Sequence, residues 1–519
     1  MILVMRRIGG KTMCHFAQLF RPVLGFFIVF PFVLLSACSS QQDETSQSSD
    51  STPQQENPNA WNMQLVGHHD LQARPAYQPE VHAYGDRRIL FVGQHAGQSY
   101  NPQTDLVEVN GLTILDVTDP SLPVLLKHLP PTGLEANGSQ HVQICDGSVL
   151  PQGDPNRVYM VRTNGLISYE MFDVTNPAEP EFMSTIDATG FSSRPESSRG
   201  NRETHKLQWE CETGIGYFNG TPEGWRVTRA LQVYDLSNPE QPEHIRDFGL
   251  VGWEPTAVGE FPEYLVSGLH QTFAYGDRIY VGYGSGNAGT LQILDKDKLL
   301  NGDPEAADPL APTPENLVYP QISRLDMPSY WGVHTAKPLL GFEISDNEND
   351  MGGSVRDFLI VPSEAGGSAI YCRGVRDIVF FLDITEEENP FPVSSYQVPN
   401  EPHDFCNDGG RFGPHSVHDA FHPDFDRTLA IFSYFNAGIR AVDIRNPFEP
   451  IEVAFFIPET TENTIEMCAQ VNGIERCDSA IQTNNVNIDD RGYIYAVDRS
   501  NTGLHIVELQ GEARTLVGL

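Results

Sequence analysis

Histidines recur along this chain in short, similar phrases, and their spacing raises the question of a shared centre. His141 stands in Gln-His-Val, His205 in Thr-His-Lys, His270 in Leu-His-Gln and His334 in Val-His-Thr, while His415 and His418 share His-Ser-Val-His. Neutral imidazole is a common transition-metal ligand and suits copper, iron, zinc or nickel. If these phrases begin equivalent elements, His141, His205, His270, His334 and His415 are expected to converge as ligands of one ion, with copper or iron as the expected metal. In two further copies the same slot holds Gln78 and either Asn484 or Asn485. A second tier is expected one strand later, where His95, Arg162, Tyr283, Glu364 and Tyr434 fall. Of these, Glu364 and His95 carry acid–base chemistry and are the candidate catalytic residues.

The elements that position these side chains are legible from an internal repeat, which is sought before any local motif. Its core is apolar–Asp–apolar–polar–Asn/Asp–Pro: Leu115 to Pro120, Phe172 to Pro177, Tyr234 to Pro239 and Val442 to Pro447. Degenerate copies stand at Leu294-Asp295, Leu382-Asp383 and Val507-Glu508, which makes seven. Around each copy lie short runs of β-formers punctuated by Gly, Pro, Asn and Asp, a pattern of strands and turns. Four short strands repeated seven times predict an all-β, seven-bladed β-propeller. The last copy lacks an outer strand, and Met63 to His68 reads as that missing strand, so the N-terminal segment is expected to complete the last blade and close the ring.

Residues 61 to 511 resemble the LVIVD-repeat family of exported bacterial β-propeller lipoproteins, named for the Asp-bearing strand. The likeness is carried by the repeats above and by segments such as Phe435-Asn436-Ala437-Gly438-Ile439-Arg440-Ala441-Val442-Asp443. It implies fold and export and brings no activity. In WD-repeat propellers a similarly placed histidine is structural and pairs with a regular Asp, so structural histidines and a ligand set both remain open here. Fold-level analogy with propellers that hold metals on inner-strand histidines, such as methanethiol oxidase and the carotenoid cleavage oxygenases, points to oxidation of a small organic or sulfur compound; no local motif is shared with them.

The N-terminal residues are a processing signal. Arg6, Arg7, Lys11 and Arg21 precede an apolar run that ends in Leu35-Ser36-Ala37-Cys38, which resembles a lipobox. Residues 1 to 37 are therefore expected to be a lipoprotein signal peptide, with Cys38 lipidated, and residues 38 to 60 a polar tether without enough apolar surface to fold. The resulting protein would be anchored by lipid in the cell envelope, most simply at the outer membrane. Residues 512 to 519 are expected to be a C-terminal tail.

The formal charge of −36 excludes nucleic acid and anionic lipid surfaces as electrostatic partners. Beyond the leader and Cys38 six cysteines remain, an even number that favours disulfides in an exported chain. Cys468 and Cys477 bracket one short loop and are the expected pair; the other pairings stay open. Asp346 to Asp350 alternates oxygen side chains suited to Ca²⁺ but lacks the glycine and terminal glutamate of an EF-hand loop, so a solvated acidic loop is the expectation with Ca²⁺ as the alternative. The Pro-rich stretch at residues 303 to 320 is read as an insertion between blades four and five. Hydrolase elbows, zincin helices and phosphate loops are absent from the sequence. Two functions follow as expectations: a metal-dependent oxidoreductase acting on a small molecule, or a non-catalytic propeller that binds a protein or glycan partner.

Overall fold

In the computed structural model the described residues are 57–132, 138–187, 190–193, 202–259, 268–286 and 288–519. The expected signal peptide, Cys38 and nearly all of the expected tether lie outside them. Residues 57 to 519 form one compact unit.

The chain is all-β, with seven antiparallel sheets as the blades of a propeller. Apart from the strands supplied by the N-terminal segment, each blade runs from inner to outer strand in chain order. Blade one uses Ala76–Tyr84, Arg87–Gln94, Leu112–Asp116 and Val124–Leu129, and blade four uses Leu269–Tyr275, Arg278–Tyr283, Thr290–Asp295 and Gln321–Asp326. Blade seven has inner strands Thr483–Ile488, Ile494–Asp498 and Leu504–Leu509, and its outer strand is Met63–His69, paired from Met63↔Leu509 to His69↔Leu504. The ring is closed as the repeat count predicts, and the strand edge that an incomplete blade would expose is covered.

The repeated Asp has a local, structural task. Asp116, Asp173, Asp235, Asp383 and Asp443 each accept a hydrogen bond from the backbone N–H two residues on, at 2.8–3.0 Å. The Asn or Asp before the proline does the same: Asn176 to Ala178, Asn238 to Glu240, Asn446 to Phe448 and Asp119 to Ser121. Two consecutive Asx-turns thus fold the chain from third to fourth strand, and the proline sets φ in the turn. Apolar residues alternate with these turns and pack between neighbouring blades, as where Leu90, Val92 and Leu115 of blade one meet Tyr495, Val497 and Ile506 of blade seven.

Three expectations are corrected. The Pro-rich insertion lies inside blade four, between its third and fourth strands, and not between blades four and five. There the Asn-Pro turn is missing and Asp295 instead caps the helix Lys296–Asn301, accepting from Lys298 N at 3.0 Å. That helix and Pro314–Val318 dock on blade three, where buried Arg246 donates to Leu299 O at 2.9 Å. The tether ends earlier than residue 60, because Ala60–Trp61 pairs with Ile451–Phe456 as a fifth strand on blade six. The C-terminal residues are not a loose tail: Gly511–Leu516 is a helix whose Ala513 is buried, as is Val517 just beyond it, in the core between blades six and seven.

The six cysteines among the described residues are all paired. Cys145–Cys211 ties blade two to blade three, Cys372–Cys406 joins the loop after the second strand of blade five to the loop leading into the inner strand of blade six, and Cys468–Cys477 crosses the hairpin Glu466–Val471/Ile474–Ser479. Among the described residues no helix is long and apolar enough to cross a membrane.

Candidate axial site

Inner strands line the axis of a propeller, and here they begin with a β-bulge. In blade four Leu269 pairs with Tyr283 and Gln271 with Gly282, leaving His270 as the extra residue. Blade seven repeats this with Thr483↔Asp498 and Asn485↔Val497, leaving Asn484, and blade one has its register shift between Ala76 and Pro79. A bulge breaks the strict alternation of faces. In blades one, four and seven two consecutive residues of the inner strand therefore face the axis, and in the other blades the equivalent pair stands at or just before the start of the inner strand, giving two layers.

The upper layer is Tyr77, Gln140, His205, His270, His334, His415 and Asn484, and it forms a continuous ring of contacts. Gln140 Oε1 lies 2.7 Å from His205 Nδ1, and the Tyr77 hydroxyl 3.0 Å from His205 Nε2. His205 Nε2 and His270 Nε2 are 3.0 Å apart. The His270 and His334 rings are 3.7 Å apart and the His334 and His415 rings 4.6 Å. His415 Nδ1 contacts the Asn484 carbonyl, and Asn484 Nδ2 donates to Tyr77 O at 2.8 Å.

The outer nitrogens fix the tautomers. His415 Nδ1 meets a carbonyl oxygen and must donate to it. Thr335 Oγ1 gives its proton to Gln271 Oε1 at 3.0 Å, so His334 Nδ1, 2.7 Å from that hydroxyl, must donate as well. His205 Nδ1 donates to the amide oxygen of Gln140, whose nitrogen faces His95 Nδ1 at 3.0 Å. In all three rings the Nε2 lone pair points inward, and the buried Nε2 atoms of His334 and His415 have no hydrogen-bond partner among the described residues. Burial, reinforced by neighbouring imidazoles and cations, holds His270, His334 and His415 well below the usual imidazole range, so they are neutral at physiological pH.

Glu364 reaches the ring from the loop after the second strand of blade five, Val355–Pro362. Its Oε2 is 4.0 Å from His270 Nε2 and its Oε1 is 3.9 Å from His415 Nε2. His270, His334 and Glu364 have ligand atoms within 4.8 Å of one another. The close approach requires glycine at position 286, where a Cβ would stand 2.4 Å from the Glu364 carbonyl oxygen.

The second layer lies one residue further along each strand and contains Gln78, His141, Lys206, Gln271, Thr335, Ser416 and Asn485. Lys206 Nζ occupies its middle, 2.9 Å from Gln271 Oε1, 3.4 Å from Gln78 Oε1 and 3.3 Å from Asp419 Oδ2. His141 belongs here, 4.0 Å from the same Asp419 oxygen, and burial lowers its pKa to about 4. Its expected place beside the other four histidines is taken by Gln140. Tyr77 likewise replaces Gln78 as the ring member of blade one. Gln143 and Gln208 make the same bond to the next blade, to Trp209 N and Ala274 N, which sets Gln140 level with His205. His418 is deeper still and structural, bonded to Asp426 at 3.0 Å beside the Lys337–Asp426 pair.

Of the second tier read from sequence, His95 stands edge-on to Tyr77 with ring centroids 5.1 Å apart, and Glu364 is at the ring. Three others are structural. Arg162 is buried against Glu170 and binds the carbonyls of Leu129 and Pro130; Tyr283 bonds Gln292; Tyr434 accepts from Val398 N. The acidic run from Asp346 to Asp350 is a largely exposed turn, and among the described residues its carboxylates do not form a ligand group. Tyr77 and the guanidinium groups of Arg411 and Arg499, both beside Glu364, were not legible. Tyr77 lies in a proline-bearing strand whose own histidine, His82, contacts Asp146 instead, and the arginines sit in loops outside the repeat.

The class defined by this architecture is a seven-bladed β-propeller with a histidine-ringed axis. The LVIVD-repeat family model matches residues 107–129, the third and fourth strands of blade one with the turn between them, so the chain carries an LVIVD repeat. A search of curated proteins finds no match. Among solved structures the chain is similar to the Cps50 (Swd1) β-propeller domain of Myceliophteria thermophila, at 9% identity and TM-score 0.43, covering 86% of this chain and 98% of that one. It is also similar to the C-terminal WD40 domain of Sif2, at 10% identity and TM-score 0.44, covering 86% and 99%. The blade count stands on the strand pairings, not on these likenesses.

Proposed function

We propose that the upper layer is a transition-metal site, with His205, His270, His334 and His415 as ligands and Glu364 as a fifth donor or a base beside the ion. The observation that carries this reading is the set of inward Nε2 lone pairs of His205, His334 and His415, each fixed by a hydrogen bond at the outer nitrogen, with His270 Nε2 set between them. Metal-bound histidines are oriented in the same way. Adjacent ligands at right angles, with bonds of about 2.0–2.1 Å, lie about 2.9 Å apart, close to the 3.0 Å between His205 and His270 Nε2. The structural alternative is disfavoured because the repeated Asp residues, which would partner such histidines, are spent on their own turns. Copper or iron suits a four-imidazole site, and a redox-active ion there would serve oxidation of a small organic or sulfur compound, with Glu364 and His95 placed to move protons. The protein would work outside the cytoplasm, held at the membrane by lipid on Cys38.

Elemental analysis of the chain from Ser39 onward, purified without a His-tag, tests the site. Near-stoichiometric copper or iron, lost in His270→Ala and His334→Ala but kept in His141→Ala, is the expected result. A well-folded protein that takes up neither metal after loading would leave the histidines structural and turn attention to protein or glycan binding at the loops.

A further inference from the structure

Among the described residues, cations near the axis sit against carboxylates. Lys206 pairs with Asp419, Lys337 with Asp426 and Arg229 with Glu203. Arg411 and Arg499 share one oxygen of Glu364, at 3.3 and 3.7 Å, and Arg499 also lies in the field of Asp498, whose own oxygens accept from the N–H groups of Gln482 and Ser500. No described residue accepts a hydrogen bond from the Arg499 side chain, and its Nε is buried without a partner, as is that of Arg411. Burial and repulsion from Arg411 bring Arg499 down to about 10, so it stays charged at neutral pH.

Of the two guanidinium groups, that of Arg411 donates from Nη1 to Glu364 Oε1 at 3.3 Å and to Ala365 O at 3.5 Å, whereas that of Arg499 is held by aromatic faces rather than by hydrogen bonds. Phe435 lies between them, its ring centroid 5.2 Å from Arg411 Cζ and 5.3 Å from Arg499 Cζ, and Tyr77 is 5.8 Å from Arg499 Cζ. Stacking of this kind leaves the N–H edges of a guanidinium free to bind. Phe435 is kept at φ 37°, a conformation that aromatic residues rarely adopt and that tends to be retained at functional sites. Its ring also contacts His415, 5.1 Å between centroids, which ties the arginine pair to the histidine ring. The side chains of Arg411 and Arg499 remain 23% and 14% exposed, so solvent reaches them.

We infer that Arg411 and Arg499 form a carboxylate-recognition site that holds a small organic acid beside the histidine ring. This deepens the proposed function and rests on it, by naming the substrate class. A guanidinium fork matches a carboxylate with two parallel hydrogen bonds, which a neutral amide of the same shape cannot replace. The overall charge of −36 does not forbid an anionic substrate. At physiological salt such charges are screened beyond about 8 Å, and the local pair decides.

Calorimetric titration of the chain from Ser39 onward with acetate and with acetamide, metal-loaded and chelator-treated, tests the inference. Acetate is expected to bind about tenfold or more tightly than acetamide in both forms. Arg499→Gln should abolish that preference and Arg499→Lys should weaken it, since lysine keeps the charge without the fork. Equal affinity for the two probes, or acetate binding unchanged in Arg499→Gln, overturns the inference. If Arg499→Gln does not fold, the wild-type comparison of the two probes decides alone. Full metal content without acetate preference rejects this site only; acetate preference in a protein that never takes up metal rejects the metal reading only.

Discussion

A histidine serves as a ligand or as a structural part according to what its two nitrogens meet. His128 and His505 are structural. His128 Nε2 meets Val109 O at 3.0 Å, and burial lowers its pKa to about 4; burial, helped by His68, lowers His505 to about 3. Both are neutral when folded, whereas in the unfolded chain they titrate near 6.5. Between pH 6.5 and about 4 the unfolded state therefore binds protons that the folded state does not. Stability contributed by these groups is complete above pH 6.5 and is lost as pH falls, by about 1.4 kcal/mol per pH unit for each histidine. Urea unfolding at pH 7.5, 6.0 and 5.0 should show this slope, and His505→Gln should flatten it by about one proton. An unchanged slope in that variant would refute the assignment.

Among the elements, the third-to-fourth-strand turn is the unit that the repeat encodes. Asp173 accepts from Thr175 N at 2.9 Å and from Thr175 Oγ1 at 2.6 Å. Asp173→Ala should cost about 1 kcal/mol, the usual worth of such a side-chain-to-backbone bond, while Asp173→Asn, which keeps the acceptor, should cost clearly less. Denaturant midpoints of the two variants make the comparison, and equal losses would mean that the charge rather than the turn matters. The inner-strand bulge is the other decisive element, since it presents both His270 and Gln271 to the axis.

For the whole molecule, closure is the central fact. Met63–His69 completes blade seven and Ala60–Trp61 extends blade six, so the N-terminal strands join the two blades that end the chain. A chain that starts at Pro75 would leave the Leu504–Leu509 edge unpaired and uncover Met63's place in the shared core. Exposed edges pair with other chains. Size-exclusion chromatography should find this truncation aggregated, and adding a peptide of residues 57 to 70 should restore monomer. A monomeric truncation with unchanged melting would show that closure is dispensable.

Seven copies of one phrase sufficed to predict the blades, because five of them encode a turn by local chemistry in which the Asp bonds its own backbone. The closing strand was legible for a related reason, since a blade short of one strand and a strand without a blade can be matched by counting. The pairing of Cys468 with Cys477 followed from their nearness, whereas Cys145–Cys211 and Cys372–Cys406 join segments that only the ring brings together. The histidine phrases were visible, but their layering was not. With two successive residues facing the axis, Gln140 and His141 compete for one slot, and only the register of the inner strands places Gln140 in the ring and His141 beneath it. Tyr77, Arg411 and Arg499 reach the same centre from segments with no shared motif. Local sequence determined the turns and the blades; the superposition of seven blades around one axis decided which side chains meet.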